Sequence, residues 1–314
     1  MLQRNTNYHL RKNILGKKLV FISLTKRCPL NCRHCFVKKN KGDFPANKLH
    51  TLIDELARSK AFDGLAFTGG EPFIVFNTLK RAIQHAHTRG LITAVVTSGY
   101  WAGTRSKAER FLKNLLGLDE ISVSLDKYHL EQVPLKNIEN LLAAAEKFKI
   151  ERMVKILVPS RKRIQTYIKL CKKYSCSYHV QNIFIKRIKN NKQLFKDAES
   201  NTALDMGSGL CHVDEPYIDE KGEVFYCCGS TGLAGKDNNL FYLGKLNRKL
   251  IRTNFNAAKR KRIKDFLGLS KAHILAKLAQ AGIQLRGRYY DRCDICDDIF
   301  TGHGENPYLI KVIG

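Results

Sequence analysis

The sequence predicts an α/β protein, a partial (βα)6 barrel of the TIM type followed by a smaller C-terminal region of different pattern. Three observations carry this expectation. Apolar runs of strand length alternate with amphipathic stretches through the first two thirds of the chain, and such βα alternation implies parallel strands joined by right-handed crossovers. Only six units can be counted, too few for the closed eight-stranded barrel. After about Ile188 the alternation stops, and the polar stretch Lys189 to Leu210 reads as linker or loop.

Taken in order, the segment 1–18 is a short polar and basic extension without the apolar stretch of a secretory signal. Strands are predicted at Leu19–Leu24, Gly64–Thr68, Leu91–Thr97, Glu120–Leu125, Arg152–Val158 and His179–Ile185. The helices between them are predicted at Asn47–Ser59, Thr78–Arg89, Ser106–Leu116, Asn137–Phe148 and Arg163–Lys173. Leu49, Leu52, Ile53 and Leu56 repeat at the spacing that lays one apolar stripe along a helix. These units define a core of residues 19–190. The remainder, 191–314, is expected to begin as linker and to hold a hairpin about Gly222 within Pro216–Tyr226, then a basic helix or helix pair over Asn254–Ala281. No stretch approaches the roughly 20 apolar residues that span a bilayer, so a cytoplasmic chain with no membrane partner is expected.

Of 314 residues, 55 are Lys or Arg and 28 are Asp or Glu, a formal charge of +27. The basic residues crowd Arg161–Lys196 and Lys245–Lys264, which makes either a solvated face or a surface for an anionic partner. An appended RNA-binding motif and an aromatic-rich basic platform for stacking bases are both missing, so nucleic acid is the less favoured partner. The ten cysteines are too many for chance, and in a reducing compartment they point to metal rather than disulfides.

Cys28-Pro-Leu-Asn-Cys32-Arg-His-Cys35 directly follows the first predicted strand. Three thiolates on so short a loop can converge on one metal centre, and three ligands to a four-iron cubane leave one iron open. A structural zinc would ask for a fourth ligand. Gly69-Gly70-Glu71-Pro72 ends the second predicted strand. Glycines allow close backbone approach, and a carboxylate can meet an ammonium. This Cys-x3-Cys-x2-Cys, with Gly-Gly-Glu-Pro one βα unit later, resembles the radical S-adenosylmethionine (SAM) superfamily. The resemblance implies a [4Fe-4S] cluster on Cys28, Cys32 and Cys35 that binds SAM. It also implies cofactor contacts from Gly69, Gly70, Glu71 and Pro72, from Thr97 and Ser98 after the third strand, and from Ser124 and Asp126 after the fourth. His34, at a position usually aromatic in the family, and Phe36 are expected to line cluster and adenine. For each of the polar strand-end residues, a plain turn or helix-cap role stands as the alternative.

A second set, Cys211, Cys227 and Cys293-Asp-Ile-Cys296 with Gly222 between the first two, can bring four thiols to one centre. It resembles the twitch domain, the shortened relative of the SPASM domain, and so implies one auxiliary [4Fe-4S] cluster, although a tetrahedral zinc would use the same thiols. Cys171 and Cys176 read as packing residues. Cys228 neighbours a proposed ligand, and successive residues of an extended segment face opposite sides. The Cys227-Cys228 pair with a single auxiliary cluster resembles radical SAM peptide epimerases of the EpeE type. That likeness implies a precursor-peptide substrate, an external electron donor of flavodoxin or ferredoxin type, Cys228 as hydrogen donor and Asp214 near the same opening. Thioether or carbon–carbon cross-linking, small-molecule dehydrogenation and RNA modification remain as alternatives. The segment before the first strand is too short for the leader-binding domain common among peptide maturases.

Overall fold

The computed structural model describes residues 16–35, 37–158, 164–182, 215–227, 229, 235–285 and 292–313. The chain divides into two compact units. The first begins with β1 (Leu19–Thr25), α1 (Ala46–Ser59), β2 (Gly64–Gly69), a 3-10 turn at Pro72–Val75 and α2 (Phe76–Thr88). It continues with β3 (Ile92–Thr97), α3 (Arg105–Lys113), β4 (Glu120–Ser124), α4 (Lys127–Leu130) and α5 (Leu135–Lys147), then β5 (Glu151–Val158), α6 (Gln165–Lys173) and β6 (Ser177–Asn182). All six strands run parallel in the order β6-β5-β4-β3-β2-β1.

The sheet has two unlike faces, set by the period-2 alternation of its strands. One face presents Val20, Ile22, Leu24, Leu65, Phe67, Val95, Ile121, Val123, Val154 and Ile156, all buried. The apolar stripes of α1 (Leu49, Leu52, Ile53, Leu56) and α2 (Leu79, Ala82, Ile83, Ala86) are buried with them. The register places the other side chains on the opposite face in layers. Phe21, Ala66, Ala94 and Glu120 form one layer, and Ser124, Lys155 and His179 form another nearer the strands' carboxyl ends. That second face is concave. In a flat sheet β1 and β5 would lie about 19 Å apart at the usual strand spacing, yet the Lys155 ammonium lies 5.9 Å from the centre of the Phe21 ring. The sheet therefore curls as a partial barrel, apolar toward its helices and, within, apolar near the strands' amino ends and polar near their carboxyl ends. Six parallel strands and interleaved helices agree with the sequence-based expectation. The short α4 was not anticipated, and β6 starts two residues earlier than expected, at Ser177.

In the second unit β7 (Tyr217–Ile218) and β8 (Glu223–Phe225) pair antiparallel about Gly222, whose φ of 81° suits glycine. The expected hairpin is thus present, and β9 (Tyr242–Lys245) extends it. Then come α7 (Arg248–Arg252), α8 (Ala257–Leu267) and α9 (Lys271–Gln280), which make the expected basic region a pair of helices with a short one before them. α10 (Arg292–Asp297) runs into a π-helical turn at Asp298–Gly302, and α11 (Pro307–Ile313) follows. Phe241 packs on Tyr226 and Phe300 with ring centres 5.1 and 4.5 Å away, which ties β8, β9 and the π-turn together. Among the described residues no helix is long and apolar enough to cross a membrane.

Candidate active site at the cysteine loop

The loop that carries Cys28, Cys32 and Cys35 leaves the carboxyl end of β1 and is closed at its neck. Lys26 N–H donates to Gly42 O at 2.9 Å, and Phe44 N–H donates to Leu24 O at 2.8 Å. Asp43 accepts from Thr25 Oγ1 at 2.6 Å and from the Arg27 guanidinium at 3.0 and 2.5 Å. Within the neck, Cys35 N–H donates to Cys32 O at 3.0 Å, so the last two thiols sit on one tight turn.

The three sulfurs lie in one another's field. Burial pushes the Cys32 thiol up to about 12, and negative charge at Cys35, Cys28 and Asp126 adds to the effect while Lys39 opposes it. Burial also raises Cys28, against the pull of a backbone hydrogen bond from Leu30. The Cys28 and Cys32 thiols resist ionising on their own, and a cationic group shared across the loop would relieve them. The donor set fits an iron–sulfur cluster with three thiolate ligands.

The glycine pair is fused to this loop. Gly70 N–H donates to Thr25 O at 2.6 Å and Glu71 N–H to Arg27 O at 2.8 Å. A methyl on Gly69 would stand 2.2 Å from Thr25 O, and one on Gly70 would stand 2.2 Å from Arg27 O. Both contacts are with backbone that cannot yield, so glycine is required for β2's end to seat against the residue before Cys28. Gly69 also has a φ of 138°, outside the range of ordinary side chains.

Glu71 is 1% exposed and fully engaged. Its Oε1 accepts from Thr97 Oγ1 at 2.8 Å and Phe73 N–H at 3.3 Å, and its Oε2 accepts from Ser98 N–H at 2.8 Å and Ser98 Oγ at 2.6 Å. Burial lifts its carboxyl above the ordinary range despite these bonds. Thr97 Oγ1 accepts in turn from Trp101 Nε1 at 3.0 Å, and Trp101 stacks on Phe73 at 4.0 Å. Glu71, Pro72, Thr97 and Ser98 are thus brought together as a single buried knot, in which the carboxylate holds the turn after β3. Ser124 lies half-buried at the end of β4 in register with Lys155.

Asp126 is also buried, as the N-cap of α4. One oxygen accepts from Tyr128 and His129 N–H at 3.0 Å each, the other meets His129 Nδ1 at 2.6 Å. Burial raises this carboxyl, but the His129 hydrogen bond and the charges of His129 and His34 outweigh burial and hold it low. His34 is 5% exposed, with its ring 5.0 Å from Tyr128 and 4.8 Å from His129. Burial presses it down to about 4, Asp126 opposing and His129 adding. His34, Asp126 and His129 offer ligand atoms within 4.8 Å of one another. Asp126, however, already has three donors, so the group works as a clasp between the cysteine loop and α4. Two more contacts complete the clasp, Asn31 N–H to Gln132 Oε1 at 2.7 Å and the paired Arg33 and Glu131. No local sequence signal marks these partners, which stand about a hundred residues apart.

In the second unit, a methyl on Gly229 would meet Cys227 Sγ at 3.6 Å and Cys293 Sγ at 3.7 Å, so both sulfurs border one small space. Cys296 is buried one helical turn beyond Cys293 on α10, and residues three apart share a helix face. Cys211, Asp214, Cys228 and Phe36 lie outside the described residues. Cys171 and Cys176 are buried at 1% and 2% exposure, as packing residues would be.

Comparison with known proteins agrees with this geometry. A family model described as the radical SAM superfamily matches residues 22–184. YydG of Bacillus subtilis (strain 168), provisionally described as a peptide biosynthesis protein, is 26% identical over 136 residues, 42% of this chain and 43% of that one. Pre-heme d1 synthase of Dinoroseobacter shibae is 33% identical over 117 residues, 35% of this chain and 27% of that one. The matched stretches thus span less than half the length of these curated relatives. Among solved structures, native anSMEcpe with bound AdoMet and Cp18Cys peptide aligns at a TM-score of 0.54 with 14% identity, over 79% of this chain and 83% of that chain, a likeness of fold alone. With the family model spanning more than half of its 314 residues and the cysteine loop inside the match, the chain belongs to the radical SAM superfamily.

Proposed function

We propose that this protein is a radical SAM enzyme that modifies a ribosomally made peptide, epimerising an L-residue to its D-form. The observation that carries the radical chemistry is the cysteine loop seated on Gly69 and Gly70. Cys28, Cys32 and Cys35 would hold a [4Fe-4S] cluster with one iron left for SAM. When bound, these cofactors supply a 5′-deoxyadenosyl radical that takes hydrogen from an unactivated carbon. The chain's own residues position and enclose. Glu71 fixes Thr97 and Ser98 beside the cluster loop, and the rings of Phe73 and Trp101 back that knot with apolar surface. The polar end of the concave face, with Ser124, Lys155 and His179 half-buried along it, suits a hydrogen-bonding substrate.

The second unit is read as the auxiliary-cluster domain, with Cys211, Cys227, Cys293 and Cys296 as ligands of another [4Fe-4S] cluster; Cys227 and Cys293 bordering one space supports this. Zinc would use the same thiols. Cys228 would donate the hydrogen that reforms Cα–H from the opposite face, its S–H bond breaking as the C–H bond forms. The thiyl radical left behind regains one electron and one proton from an external donor of flavodoxin or ferredoxin type and from solvent. Asp214 would lie near that opening. The likeness to YydG supports a peptide substrate, and the surplus of basic residues suits an acidic one. The chemistry needs a reducing, cytoplasmic setting. A small-molecule reading is favoured by the likeness to pre-heme d1 synthase.

The test is anaerobic turnover in heavy water with SAM, reductant and the short peptides encoded beside the gene, read by mass spectrometry. A gain of one deuterium per event supports epimerisation through an exchangeable thiol. Loss of two hydrogens supports dehydrogenation or cross-linking, and an unchanged peptide turns the search to small molecules and RNA.

A further inference from the structure

Lys39 stands outside the three-cysteine spacing, yet its side chain turns back into the cysteine loop. Its ammonium donates to the backbone carbonyl of Leu30 and lies 3.4 Å from Asn31 Oδ1. Leu30 and Asn31 are residues of the turn between Cys28 and Cys32, and Leu30 is buried. The turn is gripped from its far side as well, through Asn31 N–H on Gln132 Oε1.

Two other cations near the cysteines differ in one respect. Arg27 is paired with the Asp43 carboxylate and Arg33 with that of Glu131, so their charges are matched locally. The oxygens that meet Lys39 are a carbonyl and an amide, both uncharged. Because Leu30 and Asn31 lie between Cys28 and Cys32, the ammonium stands beside the turn that carries both sulfurs. A positive charge beside the ligands attracts the state that carries one more electron. Net charge and hydrogen bonding around the sulfurs are the levers that set a cluster's potential.

We propose that Lys39 is a positioning residue that ties down the Cys28–Cys32 turn and raises the reduction potential of the cluster held there. This rests on the reading of Cys28, Cys32 and Cys35 as cluster ligands. The step concerned is the arrival of a single electron from the external donor. The reduced cluster bears one further negative charge, which the ammonium stabilises without giving up its proton.

The experiment is a potentiometric titration of the reconstituted full chain, followed by electron paramagnetic resonance, in the wild type, Lys39→Gln and Lys39→Arg. Glutamine keeps a donor for Leu30 O and drops the charge, whereas arginine keeps both. Lys39→Gln should load the same iron, while its reduced-to-oxidised ratio at a fixed potential falls about tenfold, about 59 mV for one electron. Lys39→Arg should follow the wild type. A wild-type midpoint in Lys39→Gln overturns the proposal. If Lys39→Gln loses iron, Lys39→Met, uncharged and of similar length, takes its place: a midpoint lowered by about the same 59 mV upholds the role, and a wild-type midpoint overturns it. A wild-type chain that takes up no iron contradicts the cluster reading itself rather than the part played by Lys39.

Discussion

Removing the Glu71 carboxylate should loosen the site from within. In Glu71→Ala, Thr97 Oγ1, Ser98 N–H and Ser98 Oγ lose an acceptor at 2.6–2.8 Å, and the Phe73 contact at 3.3 Å is too long to add much. A hydrogen bond to a charged group contributes about 1.5–3 kcal/mol, but the hydroxyls can turn to other partners and desolvating the carboxylate offsets part of the total. The backbone N–H of Ser98 cannot turn. A net loss of about 3–4 kcal/mol is expected, a large share of the roughly 5–15 kcal/mol that holds a domain folded. Glu71→Gln keeps an oxygen for both Ser98 donors and orphans mainly the Thr97 hydroxyl, at about 1–2 kcal/mol. The two variants also part in pH dependence. Burial raises the Glu71 carboxyl, so the fold prefers its neutral form. That preference contributes stability in full below the unfolded carboxylate's pKa of about 4.3 and is lost as pH rises through the raised value. Glutamine is neutral throughout, so the gap between wild type and Glu71→Gln should narrow as pH rises above the unfolded carboxylate's range and through the raised value of the folded protein. Urea unfolding followed by circular dichroism measures it. An alanine variant within about 0.5 kcal/mol of wild type, or a gap that widens with pH, would refute the reasoning.

Gly70→Ala should fold poorly and load little iron, because its methyl would press on Arg27 O; iron per chain and melting temperature check this. Asp126→Asn keeps an N-cap for α4 but gives up the charged bond to His129. Asp126 is held low, so its contribution of about 1–2 kcal/mol is present above about pH 4 and fades as pH falls through the depressed value. Unfolding of both proteins across that range should show the difference shrinking in acid. Arg33→Ala should cost under about 1 kcal/mol, since its pairing with Glu131 is exposed. Cys228→Ala should retain auxiliary-cluster iron and SAM cleavage yet lose the inverted product; a fall in iron would make Cys228 a ligand instead.

The barrel was legible because its signals are local. Alternating apolar runs mark β1–β5 within a residue or two, and Leu49, Leu52, Ile53 and Leu56 mark the buried face of α1. The two motifs were legible for the same reason, since their spacing is short. What the sequence does not display is contact across distance. Thr25 and Arg27, which receive Gly69 and Gly70, carry no motif of their own. The clasp formed by Tyr128, His129, Glu131 and Gln132 joins the cysteine loop from about a hundred residues away. The polar end of the concave face emerges only once register aligns Ser124 with Lys155 and His179. Glu71, expected to meet a ligand's ammonium, also accepts from Thr97, Ser98 and Phe73, partners that its motif does not announce. β9 and α7, of four and five residues, are too short to show a periodic signal and were missed.

The most direct test of the central claim is the yield of 5′-deoxyadenosine from SAM after anaerobic reconstitution and reduction, in the wild type and in Cys28→Ala, Cys32→Ala and Cys35→Ala. The wild type should form it and each variant should form none, with iron lost in proportion to one cluster. Residual formation in any variant would contradict the assignment of that thiol, and none in an iron-loaded wild type would contradict radical SAM chemistry at this loop.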